Sequence, residues 1–97
     1  MDIRIQSVKF DADAKLLAFV EKKVVKLEKF FDGFLNAEVT LSLLPDNLNK
    51  EVKIRLQVPG DDIYVSRNSK TFEDATVECV DILKAQLVKL KEKKFGK

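Results

Sequence analysis

The sequence predicts an α+β fold in the order β-α-β-β-β-α, a four-stranded sheet with two helices packed side by side on one face. Three observations carry this. Several short segments alternate apolar and polar residues with a period of two. Two longer segments repeat apolar residues at helical spacing. Each strand is apolar on one face alone, so one face of the sheet needs covering while the other meets water.

Residues 2–8 read as the first strand, with Ile3 and Ile5 on one face and Arg4 and Gln6 on the other. Asp11 or Asp13 suits the cap of a helix running to about Phe31, with the apolar stripe Leu16, Leu17, Val20, Val24, Leu27 and Phe31. Gly33 suits a left-handed position just past the helix end, with Phe34 packing back across it. Residues 37–43 alternate strictly, with Ala37, Val39, Leu41 and Leu43 inward. Residues 52–58 do so again, with Val52, Ile54, Leu56 and Val58 inward, and 62–66 give a short strand carrying Ile63 and Val65. Pro45 and Asp46 open a polar loop, and Pro59, Gly60 and Asp61 make a tight turn.

Thr71 followed by Asp74 resembles a capping box that opens the last helix, which is expected to run to about Lys94. Phe72, Ala75, Cys79, Leu83, Leu87 and Leu90 form its buried stripe. The first crossover makes the first two strands parallel, with its helix on one face. The remaining strands form a meander, and the last helix must cover the same apolar face as the first.

The 97 residues are 45% hydrophobic and 35% charged, which fits one folded domain over 1–97. Apolar runs are too short to cross a membrane, and the N-terminus lacks the pattern of a secretion signal. A cytoplasmic location is the expectation. There is no histidine and one cysteine. The commonest general base and the commonest metal ligand are therefore missing, and no internal disulfide can form. No metal or cofactor is expected. Only carboxylates or lysines could support catalysis, and the paired carboxylates Asp61-Asp62 and Glu73-Asp74 are explained by a turn and a helix start. The three glycines stand apart, so there is no phosphate-binding loop. No enzyme is expected. Cys79 lies in an apolar stripe and reads as a small core residue.

The net charge of +2 conceals a pattern: residues 1–14 carry −1, 15–29 carry +3, 30–83 carry −5 and 84–97 carry +5. Two basic blocks far apart in sequence would make one basic field if folding joined them, suited to phosphate polyanions. On the first helix, Lys22, Lys26 and Lys29 fall within about 40° of Lys15 at 100° per residue, with Glu21 and Glu28 on the opposite flank. On the last helix, Lys89 and Lys93 share one flank, Lys84 and Lys91 the other. Lysines also line solvated helix faces for no functional reason, but the dense C-terminal block repels itself unless an anion relieves it. Phe30, Phe31 and Phe34 read as core and helix-end packing, not as a stacking platform. Tyr64 is expected on the open sheet face, beside Arg4, Lys53 and Arg55, where Glu38 dilutes the positive charge.

The element order, the stretch Val20-Glu21-Lys22-Lys23-Val24-Val25-Lys26-Leu27-Glu28-Lys29-Phe30-Phe31 and the ending Leu83-Lys84-Ala85-Gln86-Leu87-Val88-Lys89-Leu90-Lys91 together resemble the ribosome hibernation promoting factor and ribosome-associated inhibitor family, also called the sigma-54 modulation protein family. The resemblance implies a factor that binds the small ribosomal subunit in the channel for messenger and transfer RNA and inhibits translation under stress or in stationary phase. It implies rRNA contacts from Lys23, Lys26 and Lys29 on the first helix and from Lys89 and Lys93 on the last. Ile82 and Ala85 stand where relatives often carry a basic residue, and Lys84 and Lys91 are placed to compensate from the adjacent flank. The segment Thr71-Phe72-Glu73-Asp74-Ala75 departs from the family's pattern but keeps its capping chemistry. The end at Lys97 matches a short form.

The candidate rRNA-binding set is thus Lys22, Lys23, Lys26, Lys29, Lys84, Lys89, Lys91 and Lys93. The expected partner is the small ribosomal subunit and its rRNA, with no membrane and no small-molecule substrate, and the protein is expected to be a monomer off the ribosome. A general double-stranded RNA-binding module and a protein-interaction module with an acidic partner remain open alternatives.

Overall fold

The computed structural model describes residues 1–31, 33, 35–45, 47 and 49–95, the last three as backbone alone. The order is β1 (Asp2–Val8), α1 (Ala14–Val25), a 3-10 turn (Lys26–Phe30), β2 (Asn36–Leu43), β3 (Lys50–Val58), β4 (Asp61–Ser69) and α2 (Phe72–Phe95). The sheet order is β1-β2-β3-β4. β1 pairs with β2 in parallel, Ile3 opposite Ala37 and Ile5 opposite Val39. β3 pairs antiparallel with both β2 and β4, placing Ile54 between Val39 and Val65. The predicted α+β architecture is present, with both helices on the face that carries these side chains.

Period-two alternation sets the layers. Ala37, Val39 and Leu41 of β2 and Val52, Ile54, Leu56 and Val58 of β3 are buried, while Glu38 and Lys53 between them are exposed. α1 contributes Val20 and Val24, the 3-10 turn Leu27, and α2 Phe72, Ala75, Cys79, Leu83 and Leu87. Each fully buried Val, Leu or Ile side chain contributes about 1.5–3 kcal/mol by leaving water. Phe10, from the β1–α1 connection, stacks on Phe72 with centroids 4.8 Å apart. Thr76 is buried in α2 and its hydroxyl has no hydrogen-bond partner among the described residues.

Asp13 is the residue that caps α1: its Oδ1 accepts from the Leu16 N–H at 2.8 Å. At α2, Thr71 Oγ1 accepts from the Asp74 N–H at 3.0 Å, as the capping pattern predicts. The first helix departs from expectation. It is α-helical only to Val25 and then tightens into the 3-10 turn, with the Phe31 N–H donating to the Glu28 carbonyl at 3.4 Å. Tightening of this kind gives partners to carbonyls that the last α-helical turn leaves free. Phe31 is already extended, and Leu17, expected in the buried stripe, is 36% exposed. β4 is longer than the predicted 62–66, because Arg67 continues the pairing opposite Val52. Gly33 has a φ of +138°, and a Cβ there would lie 3.0 Å from the Phe31 ring, so glycine is required. Phe34, the expected packing partner, lies outside the described residues.

The topology also fixes helix direction. β1, β2 and β4 point one way, and α1 and α2 each return the other way. The helices therefore run parallel, with both C-terminal ends at the edge of the sheet where β2 begins and β3 ends. Lysine-rich last turns suit the negative ends of both helix dipoles.

Candidate nucleic-acid interface

The 3-10 turn changes where the first basic block points. At three residues per turn Lys29 lies directly beyond Lys26, without the 60° lag of an α-helix. Lys23, Lys26 and Lys29 line one cleft between the end of α1 and the middle of α2, and Lys84 of α2 lines it from the other side. Leu27, Phe30, Val77 and Val80 supply its apolar floor, and Asp81 also lines it. The cleft volume is about 250 Å³. Lys84 Nζ lies 5.0 Å from the Phe30 ring centroid, and Lys23 Nζ lies 5.5 Å from that of Phe19. These contacts hold two ammonium groups near aromatic faces without neutralising them. None of the four lysines enters an ion pair among the described residues. A groove with one dominant sign of charge and an apolar floor concentrates its field outward.

The other candidates are placed differently. Lys22 lies on the β1 side of α1, beside Met1, Ile3 and Val25. Lys89 and Lys91 are exposed on α2. By helical spacing Lys91 continues the cleft flank of Lys84, at i and i+7, while Lys89 falls on the opposite flank with Ile82 and Ala85. Lys93 lies in α2, and its side chain is outside the described residues.

The open sheet face offers less free positive charge. The Arg55 guanidinium donates to Asp62 Oδ2 through Nε and Nη2, at 3.2 and 2.9 Å, and to Glu38 Oε1 through Nη1 at 3.2 Å. These hydrogen bonds, that to Asp62 foremost, hold its pKa above the ordinary arginine value. Lys53 has Glu51 at 3.8 Å. Tyr64 is 71% exposed on this face, as expected, with Arg55 5.9 Å from its ring centroid.

Cys79 is fully buried and its Sγ lies 3.4 Å from the Val52 carbonyl. Burial pushes its thiol up to about 12, which makes it a core group and not a nucleophile. Among the described residues no helix is long and apolar enough to cross a membrane.

The sequence profile of the sigma 54 modulation protein / S30EA ribosomal protein family matches residues 3–94. The chain belongs to this family. A ribosome hibernation promoting factor from Azotobacter vinelandii is 27% identical over 95 residues, covering 98% of this chain and 87% of that protein. One from Pseudomonas putida is 27% identical over 93 residues, covering 96% and 89%. Among solved structures, the N-terminal domain of Protein Y from Thermus thermophilus superposes with a TM-score of 0.84 at 26% identity, covering 93% of this chain and 99% of that one. A ribosomal subunit interface protein from Coxiella burnetii shares the fold, with a TM-score of 0.80 at 21% identity over 94% and 98% of the two chains. The S30EA family is one of ribosome-associated factors, and the resemblance drawn from the two lysine-rich helices agrees with it.

Within this S30EA member, sequence reasoning missed two parts of the cleft. Phe30 is half-buried against the core, as expected, but also carries Lys84 over its ring. Asp81, which the sequence gives no role, also lines the cleft. Val77, Val80, Asp81 and Lys84 follow the spacing i, i+3, i+4, i+7, a second stripe beside the buried one and the signal that would have found this face.

Proposed function

We propose that this protein is a ribosome hibernation factor. It binds the small ribosomal subunit in the channel for messenger and transfer RNA and inhibits translation in the cytoplasm under stress or in stationary phase. It acts by occupancy, with no cofactor and no chemistry, as a monomer off the ribosome and as one binding unit over 1–97. The observation that carries this is the joining of the two basic blocks: Lys23, Lys26 and Lys29 meet Lys84 across one cleft, free of carboxylate partners among the described residues. Family membership and its likeness to ribosome hibernation promoting factors support it.

The rRNA grip consists of these four lysines, extended by Lys91 along the same flank. Lys22, Lys89 and Lys93 add to the surrounding field. Contacts of this type fix position on phosphates and carry little sequence information, so selectivity for the ribosome comes from the shape of the channel. Co-sedimentation with purified small subunits over a salt series, with a plain RNA duplex as competitor, tests this. The expected result is binding that falls with salt and resists the duplex. Displacement by an equal amount of duplex would leave a generic RNA binder, and absence of binding would point to a protein partner.

A further inference from the structure

The cleft contains more than phosphate binding requires. Four lysines alone would hold a polyanion. The apolar floor of Leu27, Phe30, Val77 and Val80 and the carboxylate of Asp81 add nothing to that task, and Asp81 opposes it. Val77 is 38% exposed, so part of this floor remains uncovered. Asp81 enters no ion pair among the described residues, although Lys84 lies one helical turn away. Its two oxygens remain free to accept.

A planar group with an apolar face, a pair of adjacent N–H donors on one edge and a phosphate attached answers all three features. We infer that the cleft binds a guanine nucleotide. The base covers the Val77 and Val80 side of the floor, Asp81 accepts from N1–H and the N2 amino group, and Lys26, Lys29 and Lys84 hold the phosphate. Guanine alone among the RNA bases places two adjacent donors on its Watson–Crick edge. Adenine and cytosine present an acceptor beside their amino group, which a carboxylate repels. Unpaired, splayed bases are the usual targets of sequence-selective RNA recognition. The volume of about 250 Å³ is just below the roughly 300–1,000 Å³ of small-molecule pockets, which leaves room for one base.

This inference rests on the rRNA-binding proposal for the source of the nucleotide, and a free guanine nucleotide would offer the same chemistry. The test is a heteronuclear NMR titration of the whole chain with 5′-GMP, 5′-IMP, 5′-AMP and inorganic phosphate, followed by the single-stranded tetranucleotides UUGU and UUAU. Shifts at Leu27, Val77, Val80 and Asp81 are expected, with GMP preferred over AMP by about tenfold, in the range of one good bidentate base contact. IMP, which lacks the N2 amino group, falls between them. Asp81→Asn abolishes the ratio between GMP and AMP, whatever it does to absolute affinity. UUGU binding more tightly than GMP assigns the site to RNA, and the reverse assigns it to the free nucleotide. Equal affinity for GMP and AMP, identical shifts with phosphate, or no shifts at all would overturn the inference. Subunit sedimentation of the same wild-type and Asp81→Asn proteins separates the two proposals. Salt-sensitive subunit binding without a guanine preference sinks the pocket and keeps the ribosome proposal, whereas a guanine preference without subunit binding does the opposite.

Discussion

Lys84 Nζ lies 5.0 Å from the centroid of the Phe30 ring. This contact joins the two basic segments, because Phe30 ends the 3-10 turn that follows α1 and Lys84 lies midway along α2. A cation over an aromatic face at an exposed site contributes about 0.5–1 kcal/mol. A double-mutant cycle of Phe30→Leu and Lys84→Met, followed by urea denaturation, should return a coupling of about that size. Strictly additive effects would mean that the two side chains do not act together in solution.

Thr76 is fully buried, and its hydroxyl has no partner among the described residues. A buried unpaired hydroxyl carries its desolvation cost without return. Thr76→Val keeps the shape and removes that cost. It should stabilise the fold by about 1 kcal/mol, which for a chain of this size raises Tm by roughly 4–8 °C. A lower Tm would show that the hydroxyl is hydrogen-bonded in solution.

Cys79 links stability to alkaline pH. Burial raises its thiol from 9.0 to about 12 in the folded protein. The unfolded chain loses this proton first, so above pH 9 the unfolded state binds fewer protons than the native state. The contribution is complete below pH 9 and is lost as pH rises toward 12. Denaturation curves from pH 8 to 11 should therefore fall more steeply for the wild type than for Cys79→Ala, and thiol reagents at about pH 8 should modify Cys79 only on unfolding.

Asp13, and not Asp11, supplies the side-chain cap of α1. Asp13→Ala should cost about 1 kcal/mol of stability, while Asp11→Ala should cost a few tenths at most. Both are read from denaturant midpoints at constant m.

The sheet and the two amphipathic helices were legible in the sequence because period-two and helical spacing are local signals, and Val39, Ile54, Leu83 and Leu87 obey them. Which aspartate capped α1 was not legible, since Asp11 and Asp13 carry the same chemistry and only backbone geometry chooses between them. The change from α-helix to 3-10 turn at Lys26 had no marker either, because no Gly or Pro interrupts Val24 to Phe31. That change aligns Lys29 with Lys26, so that both line the cleft with Lys23, while Lys22 lies beside Met1 and Ile3. The meeting of the two basic blocks was expected from helix adjacency. Asp81 in their cleft was not, since its place beside Val77, Val80 and Lys84 is legible only as a second stripe along α2 next to the buried one.

The proposed grip on RNA lies in the lysines of the cleft that the two helices share. Small-subunit binding over a salt series should be compared for two double mutants that alter net charge equally, Lys26→Glu with Lys84→Glu and Lys22→Glu with Lys89→Glu. The first pair lies in the cleft and the second outside it. The cleft pair should weaken binding at least about tenfold more than the outer pair and reduce the slope of log K against log salt by roughly 1.5. Equal losses from the two pairs would mean that net charge alone drives binding, and would contradict a cleft-centred grip.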